Sequence, residues 1–240
     1  MASIPLSDDP SARTRLPEGQ RIYAIGDVHG CAARLAALHV KILKDLEARP
    51  IARPLLLHLG DLVDRGPDSA GVLSLLAQPL PGLPTVQLMG NHDRMMLDAL
   101  EEDAPAEAIS LWLLNGGGPT LASYGASPRE RESWLLVPQA HRRILRDSIA
   151  SFAAGGYLFV HAGIRPGRPL DQQDASDLLW IREPFLSWRG QLPARVVHGH
   201  TPSPAPEIRP HRIGLDTGAV FGGDLTCGVF EADHLDFLRA

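Results

Sequence analysis

The sequence predicts an α/β protein, and three observations lead there. Apolar runs of strand length recur along the chain, and each ends in a small polar cluster. The first three runs are separated by stretches whose apolar residues recur near a 3.6-residue period, the mark of amphipathic helices. A helical region follows, after which strand character returns. The opening β-α-β-α-β order implies parallel strands joined by right-handed crossovers.

Taken in order, Arg21-Ile22-Tyr23-Ala24-Ile25-Gly26 reads as a buried strand ending in Asp27-Val28-His29-Gly30. Ala32 to Ala48 carries Leu35, Leu38, Ile42, Leu43 and Leu46 at helical spacing, with Pro50 and Pro54 beyond its end. Leu55-Leu56-Leu57-His58-Leu59 is a second strand, which delivers Gly60-Asp61-Leu62-Val63-Asp64-Arg65-Gly66 into a loop. Pro67 opens a helix expected to reach about Ala77. Pro84 to Met89 is a third strand, ending in Gly90-Asn91-His92-Asp93. From Arg94 to about Ala154 no strand is expected; helices are read around Met95 to Leu100, from Ile109 to Leu114 and from His141 to Phe152. Asn115-Gly116-Gly117-Gly118-Pro119 reads as a flexible break, although a glycine run also lets backbone approach a ligand closely. Tyr157 to Val160 then ends in His161-Ala162-Gly163, Arg195 to Val197 in His198-Gly199-His200-Thr201, and Ile213 to Leu215 in Asp216-Thr217-Gly218. Asp177 to Arg182 reads as a helix end or a loop. Thr226 to Glu231 and Leu235 to Leu238 are two further strands.

Composition sets the limits. The 240 residues suit one domain, expected over 20–240 after a flexible arm over 1–19. A formal net charge of -5 argues against general binding to nucleic acid or an anionic membrane, so any attraction for an anion must be local. No apolar run approaches the ~18 residues of a membrane span. Met1 to Gly19 lacks the apolar core of a signal peptide. Cys31 and Cys227 are too few for a disulfide framework and are not spaced as a zinc site, so a cytoplasmic location is expected. Cys31 reads as packing rather than redox control.

Five apolar runs end in groups able to hold a metal: Asp27 and His29, Asp61, Asn91 and His92, His161, and His200. A lone histidine after a strand is usually structural, and Asp64 with Arg65 alone would pass for a surface ion pair in a turn. The repetition is what argues for a site. Carboxylate, imidazole and amide oxygen without thiolate favour manganese, iron or zinc. A central aspartate with ligands on both sides suits two ions roughly 3.5–4 Å apart, able to bring the pKa of a bound water toward ~7. Arg65 can take a phosphate oxygen by a bidentate contact.

Gly26-Asp27-Val28-His29-Gly30, Gly60-Asp61-Leu62-Val63-Asp64-Arg65-Gly66 and Gly90-Asn91-His92-Asp93 resemble the three signatures of the phosphoprotein phosphatase family of metallophosphoesterases. His161-Ala162-Gly163, Gly199-His200-Thr201, Asp216 to Val220, Trp112 to Gly118 and Trp180-Ile181-Arg182-Glu183 also match, most closely the small bacterial and phage (lambda-type) Ser/Thr phosphatases. The resemblance runs from about Ile22 to Val229. It implies a calcineurin-like α/β fold, a central β-sandwich of two mixed sheets flanked by helices, with the site at the strand tips. It implies two divalent ions, manganese foremost with iron or zinc as alternatives. Asp27, His29 and Asp61 would hold one; Asp61, Asn91, His161 and His200 the other. It makes His92 the general acid, oriented and charged by Asp64, and gives Arg65, Arg182 and Asn91 the phosphoryl oxygens. The implied partner is a phosphorylated protein or peptide, hydrolysed at serine or threonine, with no regulatory subunit. An alkoxide leaves poorly and needs a proton, and a carboxylate beside an imidazole favours its charged form.

Two departures matter. His198 stands where the family has an apolar residue and reads as a packing residue or a support for the ligands. Pro202 replaces a histidine common in other metallophosphoesterases, favouring the phosphatase branch. The alternative on the same scaffold is symmetric bis(5'-nucleosyl)-tetraphosphate hydrolysis. Asp64 argues against it, since that group has a small residue there. A metal-binding module without activity is a third reading, weakened by the presence of every catalytic position.

Overall fold

β1 (Gln20–Ile25) sits in the middle of a sheet because both its faces are apolar: Ile22 and Ala24 point one way, Tyr23 and Ile25 the other, and all four are fully buried. The computed structural model that shows this describes residues 14–240, so positions 1–13 of the expected arm lie outside the described residues. β2 (Arg53–His58) runs parallel to β1, with Ile22 opposite Leu55 and Ile25 opposite His58, and β3 (Thr85–Gln87) runs parallel to β2. α1 (Ala32–Ala48) and α2 (Ser69–Leu76) make the two crossovers. α1 buries Leu35, Leu38, His39 and Ile42, one helical stripe, against Tyr23, Ile25 and Leu56. His39 meets His58 there at 3.4 Å, and burial holds both imidazoles neutral, down at about 4 and about 3.

The helical region between the sheets contains α3 (Asn91–Leu100), α4 (Ala106–Trp112), α5 (Gly118–Ser123) and α6 (Gln139–Arg146). A second sheet follows: β4 (Ser151–Ala154), β5 (Tyr157–Val160), β6 (Arg195–His198), β7 (Glu207–Ile208) and β8 (Arg212–Gly214), with α7 (Ala175–Trp180) between β5 and β6. β9 (Thr226–Glu231) and β10 (His234–Arg239) then return to the first sheet, β9 pairing antiparallel with β1. The sheets are ordered β10-β9-β1-β2-β3 and β4-β5-β6-β8-β7, each mixing parallel and antiparallel pairs. Leu57, Leu59 and Phe230 of the first sheet meet Phe159, Val197, Ile213 and Leu215 of the second in one buried layer. Among the described residues no helix is long and apolar enough to cross a membrane.

Several boundaries differ from expectation. The helix read from His141 to Phe152 ends at Arg146; Ile149 instead exchanges backbone bonds with Gln87 and Met89, and Ser151 starts β4. The turn Gly155-Gly156 into β5 was the available signal for that hairpin. α2 starts at Ser69 rather than Pro67, because the Asp68 carboxylate accepts the Gly71 N–H at 2.7 Å and caps the helix there. Asp177 to Trp180 belongs to α7, and β7 was not anticipated.

The described end of the arm is not loose. Leu16 donates its N–H to the Ala232 carbonyl at 2.8 Å, Gly156 donates to Arg15 O, and the Tyr157 hydroxyl donates to Thr14 O at 2.6 Å. The Leu16 side chain is buried in the layer between the sheets. Leu16→Ala is therefore expected to cost about 2–5 kcal/mol, like other buried leucine truncations. Urea denaturation should show a lowered midpoint with an unchanged slope.

Candidate active site

The parallel strands of both sheets point their C-terminal ends the same way, and the loops that leave them carry the chemistry. These loops turn sharply enough to need left-handed backbone. Six described non-glycine residues have positive φ, and five are His29 (43°), Asp61 (50°), Asp64 (75°), Arg65 (65°) and His200 (63°). Such conformations cost of order 1–3 kcal/mol each and persist only where the surroundings impose them. The packing is correspondingly close. A Cβ on Gly90 would lie 2.0 Å from the Asp61 nitrogen, and one on Gly199 2.0 Å from Asp27 Oδ1.

Asp61, almost fully buried, lies between two groups of ligand-type side chains. On one side is His29, whose Nδ1 donates to the Val63 carbonyl at 2.8 Å, leaving Nε2 as a lone pair 3.4 Å from Asp61 Oδ2. On the other is His161, whose Nδ1 donates to Leu59 O at 2.8 Å. Its Nε2 then faces Asn91 Oδ1 at 2.9 Å and Asp61 Oδ1 at 3.3 Å. His200 Nδ1 lies 3.0 Å from the same Asn91 oxygen. The His200 N–H donates to both oxygens of Asp27, which fixes that carboxylate. Carbonyls accept only, so the tautomers of His29 and His161 follow from their partners. The result is acceptor facing acceptor around Asp61, an arrangement that a divalent cation satisfies.

The electrostatics agree. Burial pushes the Asp27 carboxyl well above its usual value, with Asp216 and Asp61 adding to the effect. Burial would raise Asp61 as well, but His161, His29 and His92 around it hold it below the usual carboxylate range. Burial lowers the imidazoles of His29 to about 4 and of His200 to about 3, and lowers His161. Neutral imidazoles beside crowded carboxylates are what a divalent metal takes as ligands. Two groups, His29 with Asp61 and His92, and Asp61 with His161 and His200, bring candidate ligand atoms within 4.8 Å of one another. The residues present fit two ions sharing Asp61.

His92 belongs to the first of these groups, yet its Nδ1 is already engaged by Asp64 Oδ2 at 2.9 Å. Asp64 is fully buried and also accepts from Trp112 Nε1 at 2.9 Å and from the Thr120 hydroxyl at 2.8 Å. Burial raises this carboxyl, against the lowering by those three donors. The His92 backbone N–H donates to Asp61 Oδ1 at 2.9 Å, so the residue is tied to the centre by its backbone as well as by its ring. Arg65 donates its N–H to Gly116 O, its guanidinium reaches His29 Nε2 at 2.8 Å, and it lies 5.8 Å from the exposed Phe221 ring. Arg182 is exposed at the end of α7, near enough to His200 and Asp216 to lower both.

All ten residues singled out in the sequence thus gather at one end of the two sheets. Others were given no role. Asp216, quoted with its motif, stands two residues beyond β8 and is raised to about 6 by burial and by Asp61. Asp93 accepts the N–H groups of Leu62 and Gly90 and joins two of the site loops. Thr120 carried no local signal, standing 56 residues from Asp64. The glycine run is a kink between α4 and α5: Gly116 leaves helical geometry at φ 110° and packs against Arg65. His198 is buried between the Phe185 ring and Arg212, with Nδ1 at the Gly199 carbonyl. Cys31 is half-buried at the start of α1, and burial pushes its thiol up.

The profile of the calcineurin-like phosphoesterase family matches residues 20–238. The chain is 31% identical over 218 residues to serine/threonine-protein phosphatase 1 of Salmonella typhimurium, covering 86% of this chain and 90% of that one. It is 28% identical to the asymmetrical bis(5'-nucleosyl)-tetraphosphatase PrpE of Halalkalibacterium halodurans, covering 84% and 87%. A solved structure proposed to be a diadenosine tetraphosphatase superposes with a TM-score of 0.65 at 26% identity, covering 92% of this chain and 94% of that one.

Thr120→Val keeps the volume but removes the hydroxyl that Asp64 uses. With the carboxylate still buried, the expected loss is about 1–3 kcal/mol, read as a lower unfolding temperature at unchanged ionic strength.

Proposed function

We propose that this chain, which belongs to the calcineurin-like phosphoesterase family, hydrolyses phosphoserine and phosphothreonine in proteins or peptides. The observation that carries it is the buried Asp64–His92 pair, 2.9 Å apart, with Trp112 and Thr120 holding the carboxylate. A seryl or threonyl alkoxide is a poor leaving group and needs a proton as the P–O bond breaks. Nothing in the leaving group of a phosphoanhydride demands so elaborate a proton donor.

The contacts support a division of roles. Asp64 accepts the hydrogen bond of His92 Nδ1–H, which orients the ring and turns Nε2–H toward the cleft, where it delivers its proton to the departing oxygen. Arg65 and Arg182 grip the phosphoryl oxygens, and the kink at Gly116 positions Arg65 through its carbonyl. Asp27, His29 and Asp61 would hold one divalent ion, and Asp61, Asn91, His161 and His200 the other. When bound, the ions supply Lewis acidity and a water acidified toward neutral pH. Manganese is the ion best suited to this oxygen-and-imidazole set, with iron or zinc as alternatives.

A second reading has its own support. The bis(5'-nucleosyl)-tetraphosphatase relative and the superposed structure cover most of the chain at 28% and 26% identity. Both readings use the same cleft, so the substrates must be offered side by side. With manganese present, a phosphoseryl peptide is expected to turn over faster than a dinucleoside tetraphosphate. The reverse order would transfer the assignment to the nucleotide.

His92→Asn separates roles within the site. Loss for a seryl phosphate should lie within roughly 10²–10⁴-fold, with a smaller loss for an aryl phosphate, whose leaving group needs less protonation. Arg65→Ala should slow both alike. Equal losses for the two substrates in His92→Asn would remove the general-acid role.

A further inference from the structure

At the other end of the second sheet, a cavity of about 250 Å³ opens beside the N-terminal ends of β5, β6 and β8. Thr14, Arg189, Gln191, Arg195 and His211 supply its polar lining. Its volume equals roughly eight waters at ~30 Å³ each, ample for a small hydrated anion. Arg195 opens β6 and His200 lies five residues on, so the cavity is roughly 16 Å from the catalytic loops at ~3.3 Å per residue.

The charge around it is lopsided. Arg189, Arg195, Arg209 and Arg212 cluster here in a chain whose net charge is -5. Glu207 pairs with Arg209 at 3.0 Å and with Arg212 at 2.8 Å, so one carboxylate answers two of the four. Arg195 points Nε and Nη2 at the Arg209 carbonyl, a contact that orients the guanidinium without neutralising it. Arg189 is exposed and forms no ion pair among the described residues. His211 is 8% exposed, and its Nε2 is buried with no hydrogen-bond partner. Burial, then Arg212 and Arg189, hold this imidazole below its usual range, so an anion that offset the arginines would favour its charged form. None of these residues serves the catalytic centre.

We propose that this cavity is a second oxyanion site, taking a phosphate group on Arg189 and Arg195 with Thr14 and His211 beside it. Guanidinium matches phosphate oxygens in geometry and stays charged, which makes a pair of them a phosphate grip. The phosphate can come from two sources, free inorganic phosphate or a further phosphate group on a multiply phosphorylated peptide.

The test uses the full chain, stripped of metal by chelation and carrying Arg65→Ala and Arg182→Ala to silence the catalytic cleft. Inorganic phosphate is titrated calorimetrically at low ionic strength, where charge contacts are least screened. The expected result is saturable binding that Arg189→Ala weakens at least tenfold and Arg189→Lys weakens less, since the charge stays but the two-pronged contact is lost. Absence of saturable binding, or equal binding after Arg189→Ala, would overturn the proposal. Arg189 is exposed, so its variants should keep the parent unfolding temperature; Arg195→Ala is the second variant and should also weaken binding. A doubly and a singly phosphorylated peptide, offered to the manganese-loaded chain carrying only His92→Asn so that the cleft still binds a first phosphate, distinguish the sources. Tighter binding of the doubly phosphorylated peptide, lost in Arg189→Ala, assigns the site to substrate; equal binding of the two peptides alongside saturable inorganic phosphate assigns it to the free ion.

Discussion

The structure depends on acceptors held face to face around Asp61. His29 and His161 spend their ring N–H groups on backbone carbonyls and turn lone pairs toward the same carboxylate. Asn91 adds its side-chain oxygen, and Asp27 and Asp216 add buried negative charge. Without a counter-charge such a cluster is repulsive, and burial increases the cost because little water reaches it. Its persistence as geometry must come from the rest of the chain.

The rest of the chain is arranged to supply that. Five site residues in left-handed backbone represent about 5–15 kcal/mol at 1–3 each, comparable with the whole stability of an ordinary domain. Three buried clusters offset it: one between the sheets, one under α1 to α6, and one around Phe185 beyond the second sheet. The strand ends leave the loops no freedom. Glycines at 90 and 199 let backbone come within contact of Asp61 and Asp27, and Asp93 bonds two loops to each other. The same logic explains Asp64, whose three donors come from His92, Trp112 and Thr120 on three different helices. The His92 imidazole is thereby placed against the centre by parts of the chain distant in sequence.

Much of this was legible in the sequence, because strand-end chemistry is local. An apolar run followed at once by Asp, His or Asn reports both the strand and what its tip presents, and each such tip reached the cleft. The resemblance of the motifs supplied the division of roles that spacing alone left open. What escaped was long-range or short. Thr120 reaches Asp64 through tertiary packing, which no local pattern encodes. β4 and β7 have four and two residues, too few to show a period, and the periodicity of α6 was read straight through into β4. The glycine run looked like a break because its carbonyl contact with Arg65 lies 51 residues away in sequence. Leu16 looked like part of a polar arm until its place between the sheets was visible.

The central claim is that this cluster is built for two divalent ions sharing Asp61. Calorimetric titration of manganese into the chelator-treated chain tests it most directly, with the unfolding temperature followed in parallel. The account predicts saturation at two ions per chain and a rise in unfolding temperature, since ions that bind the folded state alone stabilise it by mass action. Saturation at a single ion, or no binding with an unchanged unfolding temperature, would contradict it.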